Sequence, residues 1–258
     1  MTSKKQKWLS WSQLTLFEQC PFLWYGRYVK KWTTFVKNIH LMVGSAAHYA
    51  IEEALKQYRD KGSKMTVPNM VGLYVEKLKE EGCTDVDQLQ YWTYVGQNML
   101  QAWRSRFLDA YDIEVLQLEG FVVKKGNRHT GSICGVVDAI LNIDGETHIV
   151  DWKTSSRRYS QKDADTSGQL STYHFLTNVP EDTKVAFGVL VKKGGQDFQF
   201  LSSIRTPEQL DEVFKRYVNL REKTQSYIQG APPEKIIRAH CDRCDIYNLG
   251  KCEGRDDF

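Results

Sequence analysis

Residues 135–155 read GVVDAILNIDGETHIVDWKTS, two runs rich in Val and Ile on either side of an Asp-Gly pair. Asp144-Gly145 suits a two-residue hairpin turn, because both residue types accept the positive φ such a turn needs. The flanking runs, 131–143 and 147–153, then become antiparallel strands. Counting back from the turn in the simplest hairpin, Asp138 falls opposite Asp151. Side chains alternate along a strand, so Lys153 shares the face of Asp151. Carboxylates are costly to bury unless they are paired or coordinate a cation. Two of them beside one lysine imply a divalent ion and a polarised water more readily than a salt bridge. Taken alone, the Asp-x-Lys triplet reads more readily as an ordinary ion pair at the end of a sheet.

Upstream of the hairpin the apolar residues follow a helical period. Helices are expected at 10–20, with Ser10 or Ser12 as cap, and at 40–60, with Gly62 just beyond. Two more are expected at 67–80 and 86–111, followed by a first strand at 113–124. Downstream the pattern predicts a helix over 161–177, strands over 185–192 and 198–204, and a long amphipathic helix over 207–229. Helices, three strands, a helix, two strands and a helix make an α/β protein with a mixed central sheet flanked by helices. No repeat or low-complexity tract interrupts that order.

Composition agrees with a packed body. The 258 residues are 41% hydrophobic and 26% charged, which excludes disordered and coiled-coil classes. The longest nearly apolar run, 133–141, contains Asp138 and is far below the roughly 20 residues of a membrane span. The N-terminus, MTSKKQKWLSW, is basic without an apolar signal core, so an intracellular protein is expected. A net charge of +3 permits a nucleic-acid partner without requiring one.

Six cysteines are too sparse for a disulfide scaffold. Cys241, Cys244 and Cys252 nevertheless crowd into a polar, loop-like tail, and Cys20 can supply a fourth thiolate; Cys83 and Cys134 stand alone. Four thiolates suit zinc or an iron-sulfur cluster, and spacing does not separate the two. Four unligated thiols are the plain alternative. A metal there would tie both chain ends to one side of the body.

His48 in GSAAHYAIEE lies on a helix face of small residues, and Gln169 and Tyr173 in GQLSTYHF share one helix face after the D-x-K strand. Singly, each is unremarkable. In order, G-x-x-x-H at 44–48, G-x-x-D at 135–138, D-x-K at 151–153 and Q-L-x-x-Y at 169–173 resemble the PD-(D/E)XK nuclease superfamily, and within it the RecB-like branch. Val137 stands where the superfamily's name-giving proline precedes the aspartate, a place at which that branch is tolerant. The split cysteine set resembles the iron-sulfur variety of the branch, which includes AddB-type recombination nucleases and CRISPR-associated spacer-acquisition nucleases. The resemblance spans residues 20–252.

It implies a restriction-endonuclease-like core over 41–229, with 1–40 and 230–258 together forming a metal-cluster region of one nuclease domain. It further implies that His48, Asp138, Asp151 and the carbonyl of Trp152 bind Mg2+ or Mn2+. Lys153 would polarise the attacking water, Gln169 and Tyr173 would position the strand, and Glu119 would stand behind the ligands. Cys20, Cys241, Cys244 and Cys252 would hold a [4Fe-4S] cluster, or alternatively Zn2+.

The implied activity is that of a metal-dependent deoxyribonuclease, an exonuclease on single-stranded DNA or DNA ends. Its setting would be recombination, repair, phage DNA processing or CRISPR spacer acquisition. The implied partners are DNA and proteins of recombination or CRISPR adaptation, with no membrane, and relatives include ring-shaped oligomers. The location would be the cytoplasm or a virus-infected host cell. Arg157, Arg158, Lys162 and Tyr173 are candidate DNA contacts, and Trp8, Trp11, Phe22, Trp24 and Tyr25 are candidates for base stacking. The basic turn reads more readily as solvated surface and the aromatic set as core. A non-catalytic DNA-binding adaptor of the same fold and a structural zinc protein are the alternatives.

Overall fold

The computed structural model describes residues 8–32, 38–126, 131–193, 195–237, 241 and 244–252. The basic stretch 1–7 and the last residues of the cysteine-rich tail, 253–258, lie outside them. In chain order the elements begin with β1 (Trp8–Ser10), α1 (Trp11–Gln19), α2 (Pro21–Tyr28), α3 (Ile39–Lys61), α4 (Val67–Glu80) and α5 (Val86–Trp103). A π-helical turn (Arg104–Leu108), β2 (Ile113–Lys124), β3 (Ser132–Ile143) and β4 (Glu146–Ser155) follow. The remainder is α6 (Gln161–Asp165), α7 (Gly168–Thr177), β5 (Lys184–Val191), β6 (Asp197–Ser203), α8 (Pro207–Ile228) and α9 (Asp245–Asn248). Among the described residues no helix is long and apolar enough to cross a membrane.

The chain divides into two compact units. One comprises Met1–Val36, Val123–Gly135 and Leu210–Phe258, and the other Lys37–Val122 and Val136–Gln209.

The second unit carries the expected mixed sheet. β3 and β4 are antiparallel, with Ala139 opposite Val150 and Ile143 opposite Glu146. β4 and β5 are parallel from His148 and Lys184 to Ser155 and Val191, and β6 returns antiparallel to β5. β2 pairs with β3. Asp144 and Gly145 both adopt positive φ, as the turn requires.

Alternation gives the sheet two faces. Ala139, Leu141, Ile143, Val150 and Trp152 enter one apolar core with α3, α4 and α5. In α3 that core takes Val43, Ala46, Ala47, Ala50, Ile51, Ala54 and Leu55, the helical stripe that the sequence shows. Asn38 caps this helix by accepting from the His40 amide, and Gly62 closes it in the left-handed region. Trp152 packs edge-on to Trp103 and Phe107, at centroid distances of 6.0 and 5.3 Å. Its ring occupies the space that a Cβ on the paired Gly188 would need, so a glycine is required there.

Two expected helices differ. The 86–111 helix is α-helical only to Trp103. It then widens into the π-helical turn, which buries both Phe107 and its neighbour Leu108. The 161–177 helix is broken after Asp165. Ser160 forms a capping box with Asp163, and Ser167 caps a new helix by accepting from the Leu170 amide at 3.2 Å.

In the terminal unit, β1 pairs parallel with the start of β3, from Trp8 and Ser132 to Ser10 and Cys134. Of the two candidate caps it is Ser10 that serves α1, and Pro21 begins α2. Arg216 on α8 binds both carboxylate oxygens of Glu18, at 2.7 and 2.6 Å, and lies 4.9 Å from the Trp11 ring centre. Trp24 is wholly buried, stacked on Tyr28 and edge-on to Phe17, so it is a core residue rather than a surface for bases. Phe22 packs on Trp32.

Candidate active site

The antiparallel ladder between β3 and β4 stops at Ala139 and Val150. One residue further Asp138 leaves the ladder, and its carboxylate Oδ2 accepts the Trp152 amide hydrogen at 2.8 Å. A side chain thus takes the place of a strand's carbonyl, and the two strands part where the chemistry is expected.

Asp151 is 2% exposed. Its Oδ1 accepts from Gln169 Nε2 at 2.9 Å. Its Oδ2 forms an ion pair with Lys153 Nζ at 2.5 Å. Burial pushes the Asp151 carboxyl up to about 6, and the Asp138 charge adds to this against the opposing charges of Lys153 and His48. Gln169 also donates to Tyr173 Oη at 2.9 Å. Burial and the nearby Asp151 charge raise the Tyr173 phenol, which stays neutral at physiological pH. The Lys153 ammonium lies 5.6 Å from the ring centre of Phe187, the cross-strand partner of Asp151.

His48 completes the group from α3, with Nδ1 3.5 Å from Asp138 Oδ2. Burial opposes charge on this imidazole, but the contact with Asp138 and the charges of Asp138 and Asp151 outweigh it and raise its pKa. Residues more than a hundred positions apart in sequence therefore meet at one strand end, all within the second unit.

A residue missed in the sequence is Glu52, one helical turn beyond His48 on the same face. Lys56, a turn further, pairs with it at 2.5 Å. Burial raises the Glu119 carboxyl, and the adjacent Glu52 and then Asp138 reinforce the effect. Glu119 adopts a positive φ within β2, a local kink in that strand. The signal for Glu52 was the four-residue spacing H-x-x-x-E.

Of the basic candidates, Arg157 and Lys162 are exposed. Arg158 binds Asp197 at 2.9 and 2.8 Å and shares it with Arg106 at 3.0 Å. Two guanidinium groups against one carboxylate leave a surplus positive charge there.

In the terminal unit Cys20, Cys241, Cys244 and Cys252 line one pocket together with Ile236 and Ile246. All four are half-buried, and the Cys244 amide donates to the Cys241 carbonyl at 2.9 Å. Among the described residues no disulfide joins them. Cys83 is buried elsewhere and Cys134 lies in β3. Among the described residues no three His, Cys, Asp or Glu side chains are drawn together closely enough to hold an ion as they stand. The residue types are those that such ions take: a buried carboxylate, Asp151, with Asp138 and an imidazole at the same strand end, and four thiols lining one pocket.

The sequence matches the PD-(D/E)XK nuclease superfamily over residues 8–249, and the chain belongs to that superfamily. Its members generally use divalent metals such as Mg2+ and act on DNA. Among solved structures the fold is similar to that of a Eubacterium rectale protein described as a "putative exonuclease". The TM-score is 0.59 at 13% identity, over 100% of this chain and 93% of that one. SSO0001 covers 90% of this chain and 94% of its own at 16% identity, with a TM-score of 0.35. No curated protein matches.

Proposed function

We propose that this chain is a divalent-metal-dependent deoxyribonuclease of the RecB-like branch, an exonuclease on single-stranded DNA or DNA ends, with a [4Fe-4S] cluster on Cys20, Cys241, Cys244 and Cys252. The observation that carries the reading is the buried Asp151, held through one oxygen by Gln169 and faced by Asp138, His48 and Lys153. A fold kept only for binding has no use for such a cost.

His48, Asp138, Asp151 and the Trp152 carbonyl would hold Mg2+ or Mn2+; oxygen donors favour the first and the imidazole draws the balance toward the second. When bound, the ion lowers the pKa of water and absorbs charge on the phosphoryl oxygens. Lys153 places its ammonium against the attacking water and the pentacovalent phosphate, with Phe187 and Asp151 fixing its position. Gln169 orients Asp151, and Tyr173, kept as a phenol, supplies a hydrogen-bond donor for the scissile strand. Hydrolysis is an in-line displacement in which water forms the new P–O bond as the bond to the leaving sugar oxygen breaks. Arg157, Arg158 and Lys162 meet neighbouring phosphates. The reading places the protein inside the cell, where its substrate lies and thiolates stay reduced.

A time course on 5′- and 3′-labelled single strands with Mg2+, Mn2+ or EDTA tests this. Ion-dependent shortening from one end is expected, faster on single strands than on blunt duplex. Binding without cleavage in either ion would instead make the chain an adaptor.

A further inference from the structure

Gln169 reaches Asp151 from the first turn of α7, and α7 starts from a corner that the rest of the unit holds in place. The corner is Thr166–Ser167, between the end of α6 and the capped start of α7. At the end of α6 the Ala164 carbonyl accepts from the Ser167 amide at 3.3 Å, while the Asp165 carbonyl lies among those that a helix end leaves to side-chain donors. Arg205, in the loop between β6 and α8, supplies donors to both. Its Nη1 donates to the Asp165 carbonyl at 2.5 Å and its Nη2 to the Ala164 carbonyl. Gln209 Nε2 adds a second bond to the Asp165 carbonyl at 2.7 Å.

Arg205 is 4% exposed, and among the described residues its Nε has no hydrogen-bond partner. A guanidinium buried on carbonyl oxygens, without a direct carboxylate contact, is a costly way to end a five-residue helix. A glycine or asparagine in the left-handed region could close such a helix with no buried charge. What the planar fork adds is direction: two donors in one plane fix where the helix ends and how the chain leaves it. Three residues separate Asp165 from Gln169, and Ser167 already caps α7 within them, so little slack remains.

We propose that Arg205 is a positioning residue, acting through Gln169 to hold the Asp151 carboxylate in register with Lys153; this rests on the nuclease reading above. The test is a double-mutant cycle with Arg205→Met, Gln169→Ala and both, measuring kcat and KM on single-stranded DNA in Mn2+, together with amide hydrogen exchange over residues 164–173. Arg205→Met is expected to lower kcat about tenfold with KM nearly unchanged, and to cost less than about twofold once Gln169 is alanine. Arg205→Lys, which keeps one donor and the charge, is expected to recover part of the loss. Exchange at residues 167–170 should quicken in Arg205→Met while β4 and β5 stay protected.

Equal losses in both backgrounds, or no loss, would overturn the proposal. If Arg205→Met loosens the whole unit, Arg205→Lys carries the same comparison, and unaltered exchange at 167–170 in that variant counts against the clamp. Exchange needs no activity: should the wild type prove inactive, the nuclease reading fails, while the clamp is still decided by the amides.

Discussion

Asp151→Asn is expected to abolish the proposed cleavage, by at least about 10³-fold in kcat, and at the same time to make the ion-free protein more stable near neutral pH. The first effect follows from removing one of the anionic donors at the strand end and the group that Gln169 orients. The second follows from burial. The folded carboxyl titrates near 6, whereas an unfolded aspartate titrates at roughly 3.9. Between those values the folded chain keeps a proton that the unfolded chain has lost. The stability contributed by this group is therefore full below about pH 4, declines as pH rises through 6, and stays low above it. Asparagine keeps an oxygen for Gln169 and carries no charge.

In EDTA at pH 7.5 the variant is expected to gain on the order of 2 kcal/mol, or roughly 4–8 °C in Tm, a gain that shrinks toward pH 4. Lys153→Ala is expected to lose a comparable rate without that gain, because it leaves the buried Asp151 without its counter-charge. Melting curves at several pH values and single-turnover rates check both. Retained cleavage in both variants would remove these residues from the chemistry.

Cys20→Ser or Cys252→Ser is expected to strip the metal and unfold the terminal unit. Structural metal sites of four thiolates contribute roughly 10 kcal/mol or more, on the scale of a whole domain's stability. At its end α9 is four residues long, buries Ile246 beside the cysteine pocket and pairs Asp245 with Arg27. Protein purified without oxygen is expected to be brown, with broad visible absorption that either serine variant loses. Cys134→Ser keeps the colour, since Cys134 lies away from the pocket. Colourless protein with stoichiometric zinc would overturn the iron assignment. A terminal unit that stays folded after chelation would overturn the metal altogether.

What the sequence disclosed was local. The hairpin showed itself because Asp144-Gly145 carries turn chemistry and the flanking β-branched runs carry strand propensity. α3 showed itself because seven small or aliphatic residues repeat at a helical period. Alternation was enough to put Asp151 and Lys153 on one face. The ladder's end at Ala139 was not legible, since it depends on a carboxylate competing for the Trp152 amide across two strands. The break at Thr166 was passed over although residues 165–169, DTSGQ, interrupt the apolar period and Ser167 is a capping residue type. Trp24 read either as a base-stacking aromatic beside a cysteine or as core, and Phe17 and Tyr28 enclose it, a matter of packing that pattern alone does not decide. Glu52 was in plain view at helical spacing from His48. His48, a turn before it on the same face, reaches Asp138 at 3.5 Å, and the raised Glu119 carboxyl beside Glu52 agrees that this face turns toward the site.

The most direct test of the account is a crystal of the protein soaked in Mn2+ and recorded at the manganese absorption edge. An anomalous peak is expected between His48 Nδ1 or Nε2, a carboxylate oxygen of Asp138 and one of Asp151, at coordination distance from all three and next to the Lys153 ammonium. A map with no peak there, or a peak at other residues while His48 and Asp138 turn away from Asp151, would contradict it.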